Sequence, residues 1–137
     1  MKYMIAVLAL ACSGLAVAAQ PTAAKSEILM QSDKAWDGAD YKEYATGKPE
    51  LTVLKVALPP HSALPWHTNP MPNASYIISG EITVESKATG KTEKLVAGQA
   101  VPEMVDAAYR ATTGDKPVEL VVFYAGVKGQ PLSQPVK

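Results

Sequence analysis

The sequence predicts an all-β domain, a sandwich or barrel of short strands. Three observations carry this. Short stretches with period-two alternation or β-branched apolar character recur between residues 50 and 125, each bounded by Gly, Pro, Asn or Asp turn signals. No heptad and no long 3.6-residue pattern interrupts them. Five prolines, Pro59, Pro60, Pro65, Pro70 and Pro72, crowd one segment. Their fixed φ and missing donor confine that segment to edge, bulge or loop.

The chain has 137 residues, one domain's worth. Residues 1–19 read as a secretory signal peptide: Met1-Lys2, then an apolar run from Met4, then small residues at Ala16-Val17-Ala18. Export to the periplasm or outside the cell is expected. Cys12, the only cysteine, lies in this leader, where Leu8-Ala9-Leu10-Ala11-Cys12 also faintly resembles a lipoprotein box. A mature chain without cysteine has no disulfide and depends on its core. With Lys2 removed, 12 basic residues face 13 acidic ones, and none of the basic ones cluster. That composition argues against nucleic acid or a membrane surface as partner.

Residues 20–49 read as an arm. Gln20 to Ser26 is small and polar, Glu27 to Gln31 (EILMQ) is a candidate first strand, and Asp33 to Gly47 is a loop or edge hairpin turning at Asp37-Gly38. The barrel is expected over residues 50–125. Leu51 to Leu58 (LTVLKVAL) predicts a strand buried on both faces. Ser75 to Ser79 is a short apolar strand, and Gly80-Glu81 a turn. Glu81 to Glu85 alternates as a half-buried strand, Ala88-Thr89-Gly90-Lys91 makes a hairpin loop, and Thr92 to Val96 returns. Gln99 to Met104, Tyr109 to Thr112 and Val118 to Tyr124 complete the strands. Residues 126–137, rich in Gly, Pro and Gln, predict an extended or disordered tail.

Two segments carry a family resemblance. His61 to Gly80 (HSALPWHTNPMPNASYIISG) resembles the first signature of the cupin superfamily, G-x5-H-x-H-x3-E-x6-G. It passes through His61, His67, Asn69, Asn73 and Gly80 without insertion. Gly98 to Thr113 is similar in spacing to the second signature, G-x5-P-x-G-x2-H-x3-N, through Met104, Asp106, Tyr109 and Thr113. Only His67, Gly80 and Gly98 keep the family's residue. The resemblance implies a cupin-like jelly roll, the double-stranded β-helix barrel.

In the family, two histidines, a glutamate and a third histidine hold one metal. Here those positions are His67, Asn69, Asn73 and Tyr109. Neutral amides and a phenol are poor ligands for first-row transition metals, so no metal cofactor is expected. Were one present, it would use His67 with His61 or Glu103. Met71 and Met104 add soft sulfur that would suit a periplasmic metal-handling protein. By residue type alone, His61 reads as an exposed turn residue, Glu103 as a rim carboxylate, and both methionines as fillers.

The expected site is a pocket of His67, Asn69, Asn73, Tyr109, Glu103 and Met104, with an uncharged polar interior centred on His67. Trp66, Tyr76 and Met104 are candidates for its apolar wall. Period-two alternation turns Asn73, Ser75 and Ile77 inward and Tyr76 and Ile78 outward, toward a partner sheet or second subunit. The expected role is binding a small polar molecule, or an accessory function, with a homodimer as the candidate assembly. The alternative is a metal-dependent enzyme of the dioxygenase, isomerase or lyase type, which the resemblance implies by analogy only.

Overall fold

The computed structural model describes residues 23–137; the leader and Cys12 lie outside the described residues. Among the described residues there is no helix, and nine strands form two antiparallel sheets. The strands are β1 (Pro49–Leu58), β2 (His67–Thr68), β3 (Asn73–Ser79), β4 (Glu81–Ser86), β5 (Thr92–Val96), β6 (Ala100–Pro102), β7 (Tyr109–Thr113), β8 (Val118–Val127) and β9 (Gln134–Pro135). One sheet has the order β1-β8-β3-β6, the other β5-β4-β7-β2-β9. Apart from the β4–β5 hairpin, consecutive strands alternate between the two sheets, as in a jelly roll.

The core lies between the sheets. On β4, Ile82 and Val84 point inward and are buried, and on β8 Val118, Leu120, Val122 and Tyr124 do the same. This is the period-two rule acting on half-buried strands. On β3, Ser75 and Ile77 are buried while Tyr76 and Ile78 are exposed, as alternation demands.

Four glycine positions of the two signatures sit at turns with positive φ. Gly80 (φ 80°) and Gly98 (φ 91°) keep the glycine. His61 (φ 52°) and Asp106 (φ 54°) stand where the family has one, yet hold the same left-handed backbone. At Gly80 the requirement is doubly steric. A Cβ there would lie 2.4 Å from the Pro117 carbonyl oxygen.

Two expectations are corrected, and one alternative is selected. β1 is not buried on both faces. Among the described residues it lies at a sheet edge, paired only with β8, and Leu51 and Val53 are each 66% exposed. An uninterrupted apolar run does not reveal whether a third layer exists to cover its outer face. Glu27 to Gln31 forms no strand. No sheet edge receives it, and Ile28 is 76% exposed. The tail is ordered in part: β8 runs on to Val127, and Gln134–Pro135 pairs with Thr68 and His67.

The segment of residues 33–47 is a loop closed by a Lys34–Asp40 bridge. It serves the barrel. Trp36 is buried and its backbone N–H donates to the Pro102 carbonyl at 2.9 Å. The Tyr41 hydroxyl donates to the Glu103 carbonyl at 2.6 Å. The arm thus fixes the end of β6, where Glu103 sits.

Candidate functional site

The barrel encloses a cavity of about 340 Å³. Most of its wall is apolar and comes from inward positions: Leu54 and Val56 of β1, Ile77 of β3, Ile82 and Val84 of β4, Leu120 and Val122 of β8. Its polar groups are His67, Asn69, Ser75, Glu103, Tyr109 and Tyr124. Ser133 and Pro135 from the tail complete the lining.

The structure brings His67, Asn69, Glu103 and Tyr109 to this one cavity. Antiparallel pairing sets His67 opposite Tyr109, with ring centroids 4.6 Å apart. Asn69 Nδ2 donates to the Tyr109 hydroxyl at 2.8 Å. Two positions that in the family hold a metal are here a hydrogen-bonded pair, which engages the amide nitrogen of Asn69 and leaves its Oδ1 without a partner. His67 Nδ1 lies 2.9 Å from the Pro65 carbonyl, the only acceptor in that contact, and therefore carries the proton.

Glu103 corrects a further expectation. It is no rim carboxylate: it is 6% exposed, at the end of β6. The Ser75 hydroxyl donates to Oε1 at 2.5 Å, and Oε2 is buried without a partner. Burial pushes the Glu103 carboxyl above the usual glutamate range, and the neighbouring Ser75 and Tyr109 hydroxyls only partly offset this. Burial likewise raises the Tyr109 phenol well above its usual value, keeping it neutral. Among the described residues no Lys or Arg lines the cavity to stabilise an anion.

Other expected site residues fall elsewhere. Asn73 is buried at the start of β3 but does not line the cavity, and both its side-chain polar atoms lack partners. Met104 is 1% exposed and packs in the core away from the cavity. His61 is a surface turn residue, 3.3 Å from Asp115. Trp66 belongs to the outside, with the Arg110 guanidinium 4.4 Å from its ring, and Tyr76 faces outward. The interior is therefore not a polar pocket centred on His67. It is an apolar cavity with one polar cluster around Glu103, Asn69 and Tyr109.

The donor set does not fit a transition metal. Among the described residues no three His, Cys, Asp or Glu side chains lie together. The cavity's own candidates are one imidazole, an amide engaged with a neutral phenol, and a carboxyl whose ionised form burial disfavours. The pair His67 and His61 is separated, and His67 with Glu103 offers too few charged donors.

The expected pocket leaves out Ser75, Tyr124 and the aliphatic wall, although alternation on β3 already turns Ser75 and Ile77 inward. The alternation in β3, β4 and β8 places them there, but only pairing across the barrel shows that they share a space.

This is a cupin-type double-stranded β-helix barrel, and solved structures agree. The chain matches a protein with a double-stranded β-helix domain from Klebsiella pneumoniae with TM-score 0.54 at 19% identity, over 70% of this chain and 85% of that one. It matches the DMSP lyase DddQ from Ruegeria pomeroyi with TM-score 0.56 at 18% identity, over 72% of this chain and 47% of that one. A cupin 2 conserved barrel domain protein from Salinispora arenicola aligns with TM-score 0.50 at 12% identity, over 55% of this chain and 62% of that one. The chain spans less than half the length of the DMSP lyases it resembles. No protein-family profile and no curated protein sequence matches it. At these identities the likeness is one of fold.

Proposed function

We propose that this is an exported single-domain barrel protein that binds a small molecule inside its cavity without a metal. The observation that carries the reading is the 340 Å³ interior space, whose size falls in the ~300–1,000 Å³ range of ligand pockets and whose wall is apolar with a few clustered polar groups. The solved structures with this fold include a polyketide cyclase, RemF, from Streptomyces resistomycificus, and DMSP lyases. An enzymatic role through a bound metal gains nothing from the residues present here. A metal-handling role loses its sulfur ligands, because Met71 and Met104 are core residues and His61 is on the surface.

The binding test is thermal shift against a panel of small apolar fragments, on the wild type and on Ala111→Phe. A ligand at one hundred times its Kd stabilises the native state by about 2.7 kcal/mol. Ala111 lines the cavity, so the larger ring is expected to fill it and abolish the shift. Equal shifts in both proteins would place binding elsewhere. The export reading is checked by the mass of the mature protein. Loss of residues up to Ala18 or Ala19 is expected, and a lipid on Cys12 would replace cleavage there by anchoring.

The same reading includes a homodimer. The outer face of β1, β8 and β3 exposes Leu51, Val53, Phe123 and Tyr76, an apolar surface larger than scattered single residues make.

A further inference from the structure

The geometry points to a ligand class: an uncharged, mainly hydrocarbon molecule whose one polar end both accepts and donates, as a carboxamide does, seated against Glu103 Oε2 and Asn69 Oδ1. This rests on the cavity being a binding site and says what enters it.

Two observations carry it. Six side-chain polar atoms are buried without partners among the described residues, and two of the residues concerned line the cavity, through Glu103 Oε2 and Asn69 Oδ1. Each belongs to a group whose other atom is already engaged. Glu103 Oε1 accepts from Ser75, and Asn69 Nδ2 donates to Tyr109. Both side chains are therefore held in orientation with one atom left over. Buried polar atoms acquire partners, and here the cavity is the side from which a partner can come.

The second observation is the support behind Glu103. Its backbone N–H donates to the Asn73 carbonyl at 3.0 Å, and its carbonyl accepts from the Tyr41 hydroxyl. The carboxyl is thus fixed from β3 and from the arm, an arrangement that preorganises a contact rather than following one.

Charge selects the class. The titratable groups facing Glu103 are Tyr109 from β7, Tyr124 from β8, Tyr41 from the arm and His67 from β2 across the cavity. None is a fixed cation, and burial favours the protonated carboxyl. A protonated Oε2 donates, so it calls for an acceptor. Asn69 Oδ1 only accepts, so it calls for a donor. A carboxylate ligand would bring an uncompensated anion into an apolar space, and an ammonium would require Glu103 to ionise there. The remainder of the molecule meets Val84, Leu120 and Val122 and is hydrocarbon.

The test uses four probes with one chain length: hexanamide, hexanoate, hexylammonium and hexane-saturated buffer, titrated by NMR at pH 6 against the mature protein. Hexanamide is expected to bind at least tenfold more tightly than hexanoate or hexylammonium. Glu103→Gln, which keeps size, neutrality and a donor, should retain hexanamide binding within threefold. Glu103→Leu should lose at least tenfold, and circular dichroism of both variants separates this from unfolding. If Glu103→Leu does not fold, Asn69→Leu supplies the same comparison. Preference for hexylammonium would overturn the inference by showing an ionised Glu103. Hexane perturbing the cavity residues as strongly as hexanamide would overturn it while leaving the cavity a binding site. No perturbation by any probe would sink both readings.

Discussion

His61 and Asp106 share a backbone conformation that residues with a Cβ rarely adopt, φ 52° at one and φ 54° at the other. They lie in different turns, and both occupy positions where the cupin signatures have glycine. Each turn is tied down by a backbone bond. His61 N–H donates to the Gly114 carbonyl, and Asp106 N–H to the Asn69 carbonyl, both at 2.9 Å. The fold has kept the turn and dropped the residue that makes it easy.

Restoring glycine should therefore relieve strain. His61→Gly and Asp106→Gly are each expected to stabilise the protein by up to about 1 kcal/mol in urea unfolding, because αL costs a residue with a Cβ ~1–2 kcal/mol and glycine's extra unfolded-state freedom takes part of that back. The His61–Asp115 contact, highly exposed, offsets little. The reverse change at Gly80 meets the Pro117 carbonyl and should cost at least ~2 kcal/mol as Gly80→Ala. Destabilisation by both glycine substitutions would contradict the account of the two turns.

Asn69 and Tyr109 should be energetically coupled. Tyr109→Phe leaves Asn69 Nδ2 buried and unpartnered, which costs about 1–3 kcal/mol. Replacing both, as Asn69→Leu with Tyr109→Phe, removes donor and acceptor together. The double variant is expected to lose about 1 kcal/mol less than the sum of the single losses. Additive losses in a denaturant series would mean that the bond contributes nothing.

Glu103 makes stability fall with rising pH. Burial holds its proton in the folded state above the ~4.3 at which an unfolded glutamate releases it. Between those two values the native state binds the extra proton. Its contribution is greatest below ~4.3 and is lost as pH rises through the raised folded value, with a limiting slope of about 1.4 kcal/mol per unit. Glu103→Gln has no such group. The stability of the wild type minus that of the variant should decline across this window, and a difference that rises with pH would show that the carboxylate is stabilised instead.

Self-association should depend on Val53 and Phe123, which face each other across β1 and β8 and are 66% and 41% exposed. Sedimentation is expected to show a dimer for the wild type and at least tenfold weaker association for Val53→Lys combined with Phe123→Glu. An unchanged mass distribution would move the interface elsewhere.

Much of this fold can be read locally. β4, β5 and β7 announce themselves through alternation and turn residues, and the strand ends at Gly80 and Gly98 through glycine. What local pattern cannot express is layering. LTVLKVAL has the composition of a central strand and is an edge strand, because the described residues supply no layer over its outer face. The two-residue β9 is too short to carry any period. In the site, the inward turn of Ser75 follows from alternation. The burial of Glu103 does not, because Pro102-Glu103-Met104 looks like the end of an edge strand until Tyr41 and Trp36, more than sixty residues earlier, fold over it. The spacing of the signatures picks out three positions that converge, His67, Asn69 and Tyr109, but it also picks out Asn73, which lies outside the cavity, and it passes over Glu103, which lines it.

The β1–β8 ladder has a consequence for how the protein is made. It joins residues 49–58 to residues 118–127 in one unbroken register. A chain synthesised from its N-terminus produces β1 early and its only partner late. Until residue 127 has left the ribosome, Leu51, Val53, Leu54 and Val56 form an unpaired apolar segment that cannot complete the barrel. Pairings this distant place folding in the millisecond-to-second range of high-contact-order β proteins, after closure of the long intervening loop. For an exported chain that delay is an advantage. If the chain is exported as proposed, it would stay unfolded long enough to be threaded across a membrane, and the barrel would close on the far side.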